Sequence, residues 1–121
     1  MDRQHTGRLG EQLAADYLKR NDYDIIDRNF GTRFGEIDII AKQKNTIIFV
    51  EVKTRSGDRF GTPEEAITKD KQKKLRSMAE YFLLNKKPVY ENWQIDVIGI
   101  ELCGSRAKLR HLKNAVEDPE T

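Results

Sequence analysis

The chain has 121 residues, of which 37% are hydrophobic and 35% are charged, so it is long enough for one folded domain and too short for two. Its apolar periodicity excludes an intrinsically disordered chain, and no apolar run approaches the roughly 18 residues that a membrane-spanning helix needs. The single cysteine, Cys103, excludes an intrachain disulfide and favours a reducing compartment, while a net charge of only +2 means that any basic surface is local.

The first predicted element is a helix over residues 6–21, with Thr6 as its N-cap. Its apolar residues recur at helical spacing: Leu9, Leu13, Tyr17 and Leu18. Glu11 lies on the edge of this apolar arc rather than on the polar face, so we expect it to lean toward the rest of the fold. A salt-bridged or snorkelling glutamate explains the same position equally well.

Three strands are predicted next, over residues 23–30, 34–42 and 46–54, because these runs are rich in β-branched and aromatic residues. Gly31 is expected to supply the first turn between them, and the Lys44-Asn45 pair the second. The third strand is apolar on both of its faces, which predicts a central position in the sheet.

A loop containing Gly57, Gly61 and Pro63 is followed by a second predicted helix, which ends near Asn85 and is stopped by Pro88. A strand over residues 93–102 and a short edge strand over residues 108–112 complete the domain. This order of elements predicts an α/β fold in which helices flank one mixed sheet. The predicted domain spans residues 1–116, and residues 117–121 are expected to form a disordered acidic tail.

The second and third strands form a predicted hairpin whose register brings acidic side chains together. A two-residue loop pairs Gln43 with Thr46, which places Asp38 directly opposite Glu51. Like charges in that arrangement repel, so a cation is expected to compensate, either Lys53 two residues on or a divalent metal. Solvated charges on an amphipathic strand are the alternative, although charges in a central strand are costly unless they are used.

The residue types restrict the chemistry of such a site. His5 and His111 are too few and too peripheral for a histidine metal site or a Ser-His-Asp arrangement. No glycine-rich phosphate-binding loop is present. Oxygen ligands without sulfur or imidazole favour Mg²⁺ or Mn²⁺. In the second helix, Lys71 and Gln72 continue the apolar arc, so both are expected to point toward the end of the sheet.

Six motifs, in this order and over nearly the whole chain, resemble the YraN family of small bacterial proteins. They are Arg28-Asn29-Phe30, Gly35-Glu36-Ile37-Asp38, Phe49-Val50-Glu51-Val52-Lys53-Thr54-Arg55, Lys71-Gln72-x-x-Leu75, Trp93-Gln94-Ile95-Asp96-Val97 and Lys113-Asn114-Ala115. That family is similar to archaeal Holliday-junction resolvases and to the wider PD-(D/E)-x-K nuclease superfamily. The resemblance implies an α-β-β-β-α-β restriction-endonuclease-like core. Ile37 departs from the nominal proline of the superfamily motif, at a degenerate position.

The resemblance implies a role for each matching residue. Asp38 and Glu51 would bind the metal, and Lys53 would position or activate the attacking water. Glu11 corresponds to the first-helix glutamate of the resolvase-like members, and Gln72 to the polar residue early in the second helix. Together these five residues form the expected catalytic set.

We therefore expect a cytoplasmic, Mg²⁺- or Mn²⁺-dependent endonuclease-like protein that binds nucleic acid, most naturally DNA of branched or altered structure. A set of basic residues is expected to hold phosphates without reading sequence: Arg28, Arg55, Arg59, Lys69, Lys71, Lys73, Lys74 and Arg76. A non-catalytic nucleic-acid-binding or adaptor protein with the same fold is the first alternative. A structural protein whose acids only satisfy lysine and arginine is the second. No membrane partner is expected, and a homodimer is compatible with the sequence.

Overall fold

A computed structural model describes residues 3–57, 61–85 and 92–116 of the chain, with side chains from residue 5 onward. Its elements, in chain order, are α1 (Arg3–Arg20), β1 (Asp24–Thr32), β2 (Gly35–Gln43), β3 (Thr46–Ser56), a 3-10 helix (Pro63–Ala66), α2 (Lys69–Leu84), β4 (Asn92–Cys103) and β5 (Arg106–Leu112). The predicted α/β fold, a mixed sheet with helices on its faces, is confirmed. Neither α-helix in the described part of the chain is long and apolar enough to cross a membrane.

The five strands form one sheet in the order β1-β2-β3-β4-β5. Neighbouring strands are antiparallel except β3 and β4, which run parallel and are joined by a crossover that contains α2. β3 is the central strand, as its apolar composition on both faces predicts.

Two apolar clusters cover the two faces of the sheet. One lies under α1 and includes Ala14, Leu18, Ile39, Val50 and Ile98. The other lies under α2 and includes Ile40, Phe49, Leu75, Met78 and Phe82. Alternate residues of β3 enter opposite clusters, because successive side chains of a strand point to opposite faces. The two helices therefore approach the same central strand from both sides.

α1 approaches β3 closely at Gly10. A Cβ atom on Gly10 would collide with the Oγ1 of Thr54, so this position in the helix has room only for hydrogen. The next residue, Glu11, is thereby held close to the sheet.

Two local predictions are wrong. Thr6 is not an N-cap: the helix begins at Arg3, and Thr6 lies inside it, buried with 8% exposure.

Gly31 does not form the first turn, because it is paired with a residue of β2 and the turn is Arg33-Phe34 instead. The Thr32 hydroxyl organises that turn by accepting from the Phe34 N–H at 3.0 Å and donating to the Gly35 carbonyl at 3.1 Å. The predicted stop at Pro88 and the predicted tail, residues 117–121, lie outside the described residues.

Candidate metal centre

The candidate site lies where β2 and β3 separate. Their pairing runs from Gln43 opposite Thr46 to Ile39 opposite Val50, which confirms the predicted register as far as that pair. The ladder ends at that pair, so the direct opposition of Asp38 and Glu51 stays a prediction. The Asp38 carboxyl group accepts the Val52 N–H at 2.7 Å, in the place of a backbone carbonyl.

Asp38 is a carboxyl group that holds its proton in the folded protein. Burial, followed by the negative charge of Glu51, raises its pKa from 3.8 to about 8, although the Val52 N–H opposes the shift. The nearby carboxyl of Glu11 raises it further, through its charge and through a side-chain hydrogen bond. Asp38 therefore favours its protonated form at neutral pH.

Glu51 is the most deeply buried acid of this group, with 3% exposure. Its Oε1 lies 3.7 Å from the Nζ of Lys53 and 3.6 Å from the Nζ of Lys71. Burial raises the pKa of Glu51, and the two ammonium groups oppose that shift. Its Oε2 is the one buried side-chain nitrogen or oxygen in the described part of the chain that has no hydrogen-bond partner. Such an orphaned oxygen is costly unless something else binds it.

α2 contributes Lys71 to this group. Thr68 caps the helix by accepting the Lys71 backbone N–H at 3.2 Å, which places Lys71 in the first turn facing the sheet. Lys71 is among the residues predicted to bind phosphates, and in the structure its ammonium group contacts the carboxylate of Glu51. Gln72 is half-buried at the next position, and its catalytic role stays a prediction.

Glu11 reaches the group from α1. Its Oε1 accepts the side-chain N–H of Asn29 at 3.0 Å, and its charge acts on Asp38. Asn29 has a φ of 53°, in the left-handed region that asparagine tolerates better than most residues. We define the candidate metal centre as Glu11, Asp38, Glu51, Lys53 and Lys71. Its residues come from both α-helices and from the neighbouring strands β2 and β3.

The donor atoms of this centre suit a hard cation. Across residues 3–57, 61–85 and 92–116, no three His, Cys, Asp or Glu side chains form a ready-made metal cage. Two carboxylates, Asp38 and Glu51, one of them with an orphaned oxygen, match the way Mg²⁺ binds through one or two carboxylates and keeps several waters. The residues present fit Mg²⁺ or Mn²⁺.

The predicted phosphate-binding residues occupy several elements. Three of them are exposed on α2: Lys69, Lys73 and Lys74. Arg28 is exposed on β1 and Arg55 is half-buried on β3. The Arg76 guanidinium lies 5.8 Å from the centre of the Trp93 ring, so it packs on an aromatic face. Arg59 lies outside the described residues.

A second polar cluster, formed by Tyr17, Asp96 and His111 on the α1 face of the sheet, is not among the features predicted from the sequence. Asp96 is fully buried and accepts from the Nε2 of His111 at 2.7 Å, while the Tyr17 hydroxyl bonds to Nδ1 of the same ring at 2.9 Å. Because a carboxylate only accepts, Nε2 carries a proton. His111, with 5% of its side chain exposed, is therefore not peripheral. The signal in the sequence was an aspartate inside the apolar run of residues 95–100.

This second cluster is internally satisfied. Asp96 also accepts the side-chain N–H of Gln94 at 2.8 Å and the backbone N–H of Asn114 at 2.9 Å. Burial, followed by the charge of Asp96, raises the pKa of Tyr17, so its hydroxyl stays a donor. A fully bonded network of this kind joins α1, β4 and β5 and acts as a structural tie.

Comparison with known proteins identifies the relatives of this chain. The profile described as "Uncharacterised protein family UPF0102" matches residues 10–100. A "UPF0102 protein" from Alkaliphilus oremlandii (strain OhILAs) is 47% identical over 111 residues, which cover 90% of this chain and 95% of that protein. Another from Syntrophus aciditrophicus (strain SB) is 41% identical over 93% of this chain and 88% of its own length. A third, "UPF0102 protein THEYE_A1950", comes from Thermodesulfovibrio yellowstonii (strain ATCC 51303 / DSM 11347 / YP87). It is 44% identical over 95% of this chain and 98% of its own length.

Proposed function

The chain belongs to the UPF0102 family of uncharacterised proteins, and we propose from its site that it is a divalent-metal-dependent nuclease-like protein that hydrolyses phosphodiester bonds in structured DNA. The family description assigns no activity. The proposal therefore depends on the candidate metal centre.

The observation that carries the proposal is the state of Glu51. A carboxylate that is 3% exposed, with one oxygen lacking any hydrogen-bond partner, lies beside the half-buried carboxyl of Asp38, whose pKa is raised to about 8. A purely structural acid would have both oxygens satisfied, as the carboxylate of Asp96 has. The arrangement suits a cation that replaces the proton of Asp38 and binds the orphaned oxygen.

The chain's own residues divide the work of hydrolysis. Asp38 and Glu51 would hold the cation, which when bound offsets charge on the phosphate and makes a bound water easier to deprotonate. Lys53, two residues after Glu51 on the same face of β3, is placed to orient the attacking water. Lys71 lies at the start of α2 beside the same carboxylate, where it can hold a phosphate oxygen of the substrate.

The surface near the start of α2 supports a nucleic-acid substrate. Lys69, Lys73 and Lys74 are exposed there and can neutralise phosphates on either side of the bond to be cut. Contacts of this kind fix position on the backbone without reading bases, which suits recognition of DNA by its structure.

The decisive experiment is calorimetric titration of Mg²⁺ and Mn²⁺ into the wild type and into Asp38→Asn, followed by cleavage assays on branched, flapped and duplex DNA. We expect saturable binding with release of about one proton by the wild type, because a cation replaces the proton of Asp38. Asp38→Asn should abolish both binding and proton release. Glu80→Gln, which removes an exposed acid on α2, is the matched control and should behave as wild type.

Absence of metal binding by the wild type would refute the proposed function. Metal binding without cleavage of any DNA in the panel would instead leave the non-catalytic nucleic-acid-binding protein, which salt-dependent binding of the same DNAs would then identify.

A further inference from the structure

The end of the hairpin between β1 and β2 presents an exposed aromatic ring. Phe34 is 44% exposed in the two-residue turn, and the guanidinium of Arg33 lies 5.0 Å from the centre of its ring. The phenyl ring is therefore not buried against the body of the protein, yet it is held by a cation on one side.

The turn holds this pair in a defined conformation. The Thr32 hydroxyl bonds to both sides of the turn, and Gly35 has a φ of 130°, which a residue with a side chain rarely adopts. A Cβ atom on Gly35 would lie 3.9 Å from the sulfur of Met78, so the end of the hairpin rests on α2. The Arg33-Phe34 pair is thus presented on a supported turn.

The same strand connects this turn to the candidate metal centre. Phe34 precedes Asp38 by four residues, or about 13 Å at about 3.3 Å per residue. That span corresponds to about four stacked nucleotides at about 3.4 Å each. A base at the turn and a phosphate at Asp38 can therefore belong to one short stretch of nucleic acid.

We propose that Phe34 and Arg33 form a stacking contact for an unpaired nucleobase, so that the site selects DNA with a single-stranded segment beside the bond to be cut. Proteins bind single strands by stacking bases on aromatic rings and by cation–π contacts from arginine, next to basic residues that follow the backbone. Both bases of a pair are already stacked in continuous duplex, and also in a fully paired four-way junction. This inference rests on the proposed function and narrows its substrate class.

The test is fluorescence anisotropy, in EDTA so that no cleavage occurs, with labelled flap DNA, fully paired four-way junction and duplex of equal length. For Phe34→Ala we expect the affinity for the flap to fall by about 5- to 150-fold, which is the range for loss of one base stack. The affinity for the two paired DNAs should fall by less than about twofold. Phe34→Tyr should restore the flap affinity because it restores a ring. Ile26→Ala, at a 40% exposed apolar position on β1, should have no effect.

A second measurement uses the tryptophan fluorescence of Phe34→Trp. The fluorescence of the wild type, which comes from Trp93, is subtracted as the background. The added indole fluorescence should be quenched by flap DNA and unaffected by the fully paired junction. Equal losses on all three DNAs, or unchanged flap affinity in Phe34→Ala, would overturn the stacking contact and leave the proposed function standing. A wild type that binds none of the DNAs would overturn both.

Discussion

Asp38 decides how the candidate metal centre responds to pH. Its pKa of about 8 in the folded protein exceeds the ordinary value of 3.8, so folding favours the protonated carboxyl. Burial and the charge of Glu51 are the main causes, and both penalise the ionised form. Without metal, the centre therefore stores unfavourable electrostatic free energy at alkaline pH.

We expect the stability of the metal-free protein to fall as pH rises. A raised folded-state pKa contributes stability that is fully present below about 3.8 and is lost as pH rises through about 8. The free energy of unfolding should decline by up to about 1.4 kcal/mol per pH unit across that window. Urea denaturation of the wild type and Asp38→Asn in EDTA measures this, and the slope should be much smaller in the variant. Parallel slopes would mean that Asp38 ionises normally.

Helix α1 supplies a side chain to each of the two polar clusters, the candidate metal centre and the cluster around Asp96. α1 carries Glu11 toward Asp38 and, six residues later, Tyr17 toward His111. Both contacts depend on how closely the helix packs on the sheet, and Gly10 sets that distance where it meets Thr54. A change in the position of α1 should therefore alter both clusters together.

Gly10→Ala tests this close approach, and Gly7→Ala is its natural control. A Cβ on Gly10 would collide with the stiff side chain of Thr54, which should cost about 1–3 kcal/mol in unfolding free energy. A Cβ on Gly7 meets no atom within 4 Å, so that change should stabilise the helix by about 0.5–1 kcal/mol. Thermal and urea denaturation of both variants measure the difference. The double variant Gly10→Ala/Thr54→Ala should recover most of the loss, and its failure to do so would exclude the collision as the cause.

His111→Leu tests the tie between β5 and the rest of the fold. The change leaves the fully buried Asp96 without one of its donors, at an expected cost of about 1–3 kcal/mol. Hydrogen exchange should show faster opening of β5 than of β3, because β5 is an edge strand. Lys113→Gln, an exposed neighbour, serves as the control. Uniform loss of protection over all strands would show that the tie stabilises the whole sheet instead.

At the scale of the whole molecule, two groups of exposed basic residues can be compared as paths for a nucleic-acid backbone. Lys69, Lys73 and Lys74 follow α2, beside the candidate metal centre. Three further basic residues lie on or next to the edge strand β5: Arg106, Lys108 and Lys113. Only the first group adjoins the residues that would act on a phosphate, so it is the expected path of the nucleic-acid backbone.

Two triple variants with equal change in net charge compare these surfaces. Replacing Lys69, Lys73 and Lys74 by glutamine should weaken binding to every DNA and reduce the dependence of log K on log salt by about 0.9 for each lost phosphate contact. Replacing Arg106, Lys108 and Lys113 by glutamine should change both quantities little. Anisotropy titrations over a range of salt concentrations measure them. The reverse result would move the nucleic-acid path to β5.

Sequence composition predicted the fold well because the continuous apolar run of β3 is buried on both faces, which marks it as the central strand. The register of β2 and β3 also followed from the two-residue loop, up to the point where Asp38 leaves the ladder. That departure is a competition between a side-chain and a backbone acceptor, which no periodicity encodes. Burial of His111 likewise depends on which face of an edge strand α1 covers, and this is decided only by tertiary packing.

The hydrogen bond from the Val52 N–H to Asp38 gives the protein a built-in spectroscopic reporter. An amide proton resonance shifts when its acceptor changes charge, and here the acceptor, 2.7 Å away, is the group whose pKa is about 8. The Val52 cross-peak in a ¹H–¹⁵N NMR spectrum should therefore titrate near that pH and should move again when Mg²⁺ is added. Neighbouring amides of β3 that bond to carbonyl groups should move less. In Asp38→Asn the chemical shift of the Val52 amide should change neither with pH nor on addition of Mg²⁺. One backbone amide thus reports the ionisation state and the metal occupancy of the centre.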